Sequence, residues 1–482
     1  MNTYIGIDLG TSSVKLLLVG RDGAVINSVT KEYPIFYPQN GWSEQNPEDW
    51  LTATKAGLDE LLDGYSREDV KGLSFGGQMH GLVLLDREDK VIRPAILWND
   101  GRTQKQTDYL NEEIGREKLS RLTANIAFAG FTAPKILWVK ENEPENFAKI
   151  TKIMLPKDYL AYHLTGVHST DYSDASGMLL LDVANKRWSK EMCDVCSVKE
   201  EWLPKLCESF QPIGNVKAAY RLPNAIVTAG AGDNAAAAIG TGTIGNGDCN
   251  ISLGTSGTVF VSRDQFFVDG NNSLHSFAHA TGQYHLMGCI LSAASCNKWW
   301  METVLQTKDF GIEQDGLEGL LGKNDVFFLP YLMGERSPHN DVNAKGAFIG
   351  MRPDTTRKQM TLSIMEGVAF ALRDCMEIAQ ADSVKIESTN ICGGGAKSGI
   401  WKRIIANVFG VPVSTLTVEE GPAYGAAILA MVGGKEYASI QEAVSNIVSV
   451  KERIFPTKEL TDAYEKKYRK FKQLYPALKN VF

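Results

Sequence analysis

Apolar residues run from Tyr4 to Leu9 and again from Val14 to Val19, on either side of Gly10-Thr11-Ser12. Aliphatic stretches flanking a glycine that can take positive φ predict a β-hairpin with a hydroxyl-rich tip. The Arg21-Asp22-Gly23 turn leads to a third strand over Ala24 to Val29, so the chain is expected to open as an antiparallel meander. Asn46-Pro47-Glu48-Asp49 predicts a helix start, with Asn as cap and two acids beside the positive end of the dipole. That helix should run to about Leu62 with Leu51, Leu58, Leu61 and Leu62 inward. A strand near Val70 to Phe75 and a hairpin pairing Leu82–Asp86 with Val91–Leu97 come next. From Glu112 to His168 the spacing is helical, with breaks expected at Pro134 and Pro156. Further strands are expected at Ala225–Ala229, Phe327–Tyr331 and Asn390–Cys392, and helices after Asp233, after Ser295 and over Ile400–Phe409. At the end of the chain Tyr464, Tyr468, Phe471 and Tyr475 recur at helical spacing, which makes Lys466, Lys467, Arg469 and Lys470 the solvated face of an amphipathic helix.

The opening pattern recurs. Ile251 to Gly257 reads I-S-L-G-T-S-G where Ile7 to Ser13 reads I-D-L-G-T-S-S, five of seven positions identical across 244 residues. Repetition at half the chain length predicts two related domains, 1–243 and 244–482, each starting with the same hairpin and facing each other over one ligand. The tip offers N–H groups and hydroxyls to an anion, and Asp8 offers a carboxylate suited to a hard cation such as Mg²⁺. Ser252 stands in place of Asp8 in the second copy, so a metal site is expected in the first domain alone.

Composition sets the class. At 482 residues the chain exceeds the size at which one core stops growing. An apolar share of 44%, a charged share of 22% and a formal charge of −7 describe an acidic globular protein and argue against a nucleic-acid partner. No charged-then-apolar leader and no apolar run of membrane-spanning length is seen, so a cytoplasmic location and no membrane partner are expected. Of eight cysteines only Cys193 and Cys196 form C-x-x-C. With no second pair to complete a zinc site, they are expected to share one helix face.

Four stretches carry candidate chemistry. Gly76-Gly77-Gln78-Met79-His80-Gly81 comes after a strand, where an α/β domain presents ligand contacts, although His80 could equally be a satisfied structural histidine. Trp98-Asn99-Asp100-Gly101-Arg102 suits a polyhydroxylated molecule, the ring covering a sugar face, with a loop-fixing Asp100–Arg102 ion pair as the alternative. In Gly230-Ala231-Gly232-Asp233-Asn234 the acid stands at a helix N-terminus. There the dipole should keep it ionised, a base that needs no upward tuning; a plain N-cap is the other reading. Gly393 to Gly395, between strand and helix, leave the backbone bare for a flat ring or a phosphate, or serve close packing. Gly240-Thr241-Gly242-Thr243-Ile244-Gly245 has dinucleotide-motif spacing but comes after a helix, and no P-loop motif occurs. Any nucleotide is therefore expected at the hairpin turns.

Gly130 to Trp138 and Gly346 to Glu366, with D-L-G-T-S-S, G-A-G-D-N and G-G-G-A in matching order, resemble the FGGY carbohydrate kinases over essentially the whole chain. G-Q-M-H-G, W-N-D-G-R, L-P-K-D-Y-L and L-S-A-A-S-C resemble the branch that phosphorylates xylulose; glycerol kinases carry Arg-Glu in place of Met79-His80. The resemblance implies an α/β fold of two actin-like, ribonuclease-H-like domains facing a central cleft. It further implies ATP and Mg²⁺ as cofactors and a sugar as the small-molecule substrate; a homodimer is left open. It implies Asp233 as catalytic base and Asp8 as the residue supporting activity near Mg²⁺. Met79, His80 and Asn234 become sugar contacts, joining Trp98 and Asn99. Thr11, Ser12, Gly254, Thr255, Ser256, Gly394 and Gly395 fall where phosphates and adenosine are held. The alternatives are a kinase for another ketose or polyol, such as ribulose, a deoxyhexulose or glycerol, and a non-enzymatic actin-like ATP-binding protein.

Overall fold

The computed structural model describes residues 2–381 and 384–482, which form two compact units. Unit 1 comprises 1–244, 276–285 and 420–449; unit 2 comprises 245–275, 286–419 and 450–482. Two segments of the later half thus belong with the first unit, which a single boundary at 243/244 does not express.

In unit 1 the predicted meander forms as β1 (Thr3–Leu9), β2 (Ser13–Gly20) and β3 (Val25–Glu32). Val14, Leu16 and Leu18 alternate into the core with Ile5, Ile7 and Leu9, each fully buried and contributing about 1.5–3 kcal/mol. β4 (Val70–Gly77), β5 (Pro212–Asn215) and β6 (Ile226–Thr228) complete the order β5-β6-β4-β1-β2-β3, and the short β7 (Ala231–Gly232) pairs with the end of β4. β1, β4, β6 and β7 run parallel; the remaining neighbours run antiparallel.

Unit 2 repeats this plan. Its strands β8 (Cys249–Leu253) and β9 (Gly257–Arg263) form an antiparallel hairpin; β10 (Thr389–Cys392) runs parallel to β8, β11 (Val413–Leu416) parallel to β10, and β12 (Val450–Ile454) antiparallel to β11. The order β9-β8-β10-β11-β12 therefore reproduces β2-β1-β4-β6-β5 in position and direction. The recurring seven-residue motif marks a duplicated topology.

Several expectations change. The first helix spans Pro47–Leu61 and buries Trp50, Ala53, Leu58 and Leu61, leaving Leu51 half-buried. The hairpin over 82–97 is reduced to bridges at Leu82–Ile96 and Leu85–Val91; Val83–Leu85 pairs instead with Lys152–Met154, and Ala95–Ile96 with Glu44–Gln45. Pro134 and Pro156 do not break helices but lie in the first turns of Thr132–Asn142 and Pro156–Thr165, where the missing N–H costs nothing. Lys467 leaves the solvated face of helix Lys458–Leu478 and is buried against Glu366. Cys193 and Cys196 are free, buried and on one helix, as expected of two structural cysteines. Among the described residues no helix is long and apolar enough to cross a membrane.

Helix Gly421–Gly433 packs into unit 1 under β1 and β4. It can approach only because glycines face it. A Cβ on Gly6 would lie 1.8 Å from the Ala423 carbonyl oxygen, and a Cβ on Gly425 would lie 1.8 Å from that of Ala236. Gly240 serves the same contact, its Cβ position 2.5 Å from the Gly421 oxygen, which accounts for the glycine that begins the false dinucleotide motif. Gly425→Ala should therefore lower the melting temperature by about 5 °C or more, since a methyl cannot be accommodated between two backbones. Gly319→Ala, where a Cβ meets nothing within 4 Å, should stay within about 1 °C in the same thermal scan.

Candidate active site

Strand register assembles the first cluster. Asp8 of β1 stands opposite Gly76 of β4, and Ala231 of β7 stands opposite the same Gly76 from the other side. Asp233, two residues on, is the first residue of helix Asp233–Gly240. Two carboxylates are thereby delivered to one end of the sheet, across a strand that finishes in glycine. Burial pushes Asp8 up to about 7, with Asp233 adding to the rise and Lys15, its hairpin partner, opposing it.

Asp233 departs from expectation. Gly232, not Asp233, occupies the cap position, and Asp233 Oδ1 accepts from the Asn234 backbone N–H at 2.7 Å and from Asn234 Nδ2 at 2.9 Å. Burial lifts the carboxyl to about 6 against the pull of those two hydrogen bonds. Desolvation thus outweighs the hydrogen bonds that favour the charged form, and the acid is tuned upward after all, its carboxyl still mostly ionised at neutral pH.

The turn after β4 carries Met79 and His80. The Gln78 N–H donates to the Leu9 carbonyl at 2.8 Å, tying this turn to the hairpin. His80 takes φ +69, a strained conformation for a large side chain. Its carbonyl accepts from Lys135 Nζ at 2.8 Å and Thr132 Oγ1 at 3.1 Å, its ring stacks on Phe131 at 4.6 Å, and its Nδ1–H donates to the Gly177 carbonyl at 2.8 Å. Met79 is buried against Gly232, where a Cβ would come within 3.0 Å of its Sδ. Lys135 is wholly buried, and burial holds its ammonium well below the ordinary value despite Asp100 nearby. Sequence reading passed over Lys135 and Phe131 as functional supports, although both lie in the Gly130–Trp138 segment.

The loop 98–102 divides by role. Asp100 and Arg102 form the buried ion pair: Asp100 accepts from Arg102 Nη2 at 2.7 Å and Nε at 2.9 Å and from the Ser43 N–H at 2.6 Å. Arg102 also reaches Glu44 at 2.6 Å and lies 3.8 Å over Trp42. The loop-fixing alternative holds for these two. Trp98 and Asn99 are left exposed, and Trp98 Nε1 donates to Thr11 Oγ1 at 2.9 Å, joining this loop to the Thr11-Ser12 turn.

Unit 2 holds a cavity of about 840 Å³, the size of a small-molecule site. Gly254, Thr255, Gly394 and Gly395 line it; Ser256 does not. The glycines split their work. A Cβ at Gly393 or Gly395 would strike Leu253, whereas at Gly394 it would meet nothing within 4 Å. Close packing accounts for the outer two and the bare backbone for the middle one. Asn297, Gln314 and Ser398 also line the cavity, the Ser398 hydroxyl donating to Gln314 at 2.7 Å; scattered over a hundred residues, they carried no sequence signal.

Comparison with known proteins gives the family. Residues 3–240 match the N-terminal domain of the FGGY family of carbohydrate kinases and residues 249–434 its C-terminal domain. The xylulose kinase of Escherichia coli strain K12 is 38% identical, covering 98% of this chain and 99% of its own. Among solved structures, a xyloylose kinase from Brucella ovis superposes at TM-score 0.95 with 37% identity and full coverage of both chains. A gluconate kinase from Lactobacillus acidophilus also reaches 0.95, at 25% identity, covering 99% of this chain and 98% of its own. The chain belongs to the FGGY family of carbohydrate kinases and is an ATP-dependent sugar kinase.

Proposed function

We propose that the chain transfers the γ-phosphoryl group of ATP to the terminal hydroxyl of D-xylulose, giving D-xylulose 5-phosphate. The observation that carries this is a carboxyl lifted by burial to about 6, Asp233, seated beside the Met79-His80 turn. Asp233 accepts the hydroxyl proton as the oxygen attacks phosphorus in line. Met79, His80, Asn234, Trp98 and Asn99 hold the sugar. The shared fold with a gluconate kinase means that these side chains, rather than the architecture, select the substrate. Full-length likeness to a xylulose kinase at 38% identity supports the ketose.

ATP is assigned to the Thr11-Ser12 turn, to Gly254 and Thr255 with Ser256 beside them, and to Gly394-Gly395. No described group of three acids, histidines or cysteines forms a metal cage, which fits Mg²⁺, an ion usually held by one or two carboxylates plus substrate phosphates. Asp8, whose carboxyl is raised partly by Asp233, is the residue that would hold it, because a cation relieves that crowding of negative charge. Bound there, it would offset charge on the transferring phosphoryl group.

A coupled ADP-release assay over ketoses, aldoses, glycerol and gluconate should show the highest kcat/KM with D-xylulose. Equal or better values on ribulose or gluconate would reject the substrate while leaving the family intact. Asp8→Ala should cut Mg²⁺-dependent turnover at least about tenfold more than Ser252→Ala, and equal losses would remove the asymmetry between the hairpins. Asp233→Asn should lower kcat by about two decades or more while calorimetric sugar affinity stays within about tenfold. Its melting temperature should not fall, because the charge it removes is one that burial disfavours in the folded chain; turnover retained in a folded variant would falsify the base assignment.

A further inference from the structure

Beneath the acid end of the first sheet lies a fully buried ionic cluster. Lys157 Nζ is 2.7 Å from Asp158, 2.9 Å from Asp171 and 3.6 Å from Asp174, all four side chains sealed from solvent. Burial pulls the lysine's pKa down, but the three acids hold its ammonium above the ordinary value, while burial in turn raises Asp158 and, further, Asp174. Such a group is a poor source of stability, because desolvating each charge costs several kcal/mol. Its contacts lead toward the site instead.

Four residues, Ala229 to Gly232, carry the chain from the end of β6 to Asp233. The Ala229 carbonyl faces Lys157 Nζ at 3.4 Å, and the Gly230 N–H donates to the Ser209 carbonyl at 3.0 Å. The Gly232 N–H, the last before Asp233, donates to Ser173 Oγ at 3.2 Å. Ser173 in turn donates both its hydroxyl proton and its backbone N–H to Asp171 Oδ2, the N-cap of the helical turn it belongs to, and Asp171 is held by Lys157. An unbroken path thus runs from the ammonium through carboxylate and hydroxyl to the amide beside the acid. The stem of Lys157 makes a second contact: a Cβ on Gly77 would lie 2.8 Å from Lys157 Cβ, so the lysine backs the strand end from which Met79 and His80 project.

We infer that Lys157, Asp171 and Ser173 are positioning residues that set where the Asp233 carboxylate stands relative to the Met79-His80 turn. The inference rests on Asp233 being the base. None of the three touches the reacting atoms; they act through the Gly232 amide and through Gly77. A buried ionic group that costs stability is retained for the geometry it imposes.

Ser173 and Ser209 supply a matched pair for the test. Both are buried and both donate to Asp171 Oδ2, but within the cluster only the Ser173 hydroxyl also receives the Gly232 amide. Steady-state kinetics and thermal scans on Ser173→Ala and Ser209→Ala separate position from stability. Ser173→Ala should lower kcat between about ten- and a hundredfold with the sugar KM within about threefold, the size expected for a misplaced catalytic group. Ser209→Ala should keep kcat within about twofold while its melting temperature falls as far as that of Ser173→Ala, each having lost one hydroxyl bond to Asp171. Equal kcat in the two variants would overturn the inference, since a merely structural cluster affects both alike. Asp233→Asn in the same assay distinguishes the failures. If it retains turnover, the base reading falls and this inference with it; if it is inactive beside a fully active Ser173→Ala, this inference falls alone.

Discussion

The first unit depends on one register: β1, β4 and β7 stay in step at Asp8, Gly76 and Ala231, so two carboxylates meet at the end of one sheet. Side chains at the middle strand would prevent it. A Cβ on Gly76 would come within 3.1 Å of Ala236 and one on Gly77 within 2.8 Å of Lys157. The glycines let a helix, a lysine stem and an acid-bearing turn close in, and the carboxyls acquire raised pKa values because that closeness removes water.

Placement here is maintained by polar groups that are expensive to bury. The Asp100–Arg102–Glu44 set fixes one loop, Lys135 and Thr132 hold the carbonyl of a strained His80, and Lys157 with its three acids lies under the turn that bears Asp233. Desolvation of such groups offsets much of their attraction, so an apolar core would serve stability at least as well. What they supply is direction: hydrogen bonds fix a carbonyl or an amide to a few tenths of an ångström, which dispersion contacts do not. Catalysis is sensitive to displacements of that size.

Duplication explains both the likeness and the difference of the units. β9-β8-β10-β11-β12 repeats β2-β1-β4-β6-β5, with the same hydroxyl-bearing turn after the first strand. The copies diverge at the far end of the strand that runs parallel to that hairpin. In unit 1 the turn after β4 carries Gln78, Met79 and His80; in unit 2 the turn after β10 carries glycines and opens on the large cavity.

The sequence alone determined a good deal. Its repeated heptapeptide predicted the duplicated topology, its alternating apolar residues the meander, and its signature segments the family, because each signal is local and carried by side-chain identity. Tertiary structure decided the rest, where the cause is non-local. Helix Gly421–Gly433 joins the first unit through backbone-to-backbone contacts at Gly6 and Gly425, and a missing side chain advertises no partner. The helix start at Asp233 was legible from the residues around it, but the burial that raises its carboxyl arises only in the folded chain. Asp100 and Trp98 look alike as candidates two residues apart, yet one is sealed against Arg102 and Ser43 while the other stays exposed. Burial and hydrogen-bond partners belong to the folded chain, since only folding brings Ser43 to Asp100 or Lys157 to Asp171, and no periodicity in the sequence encodes those distances.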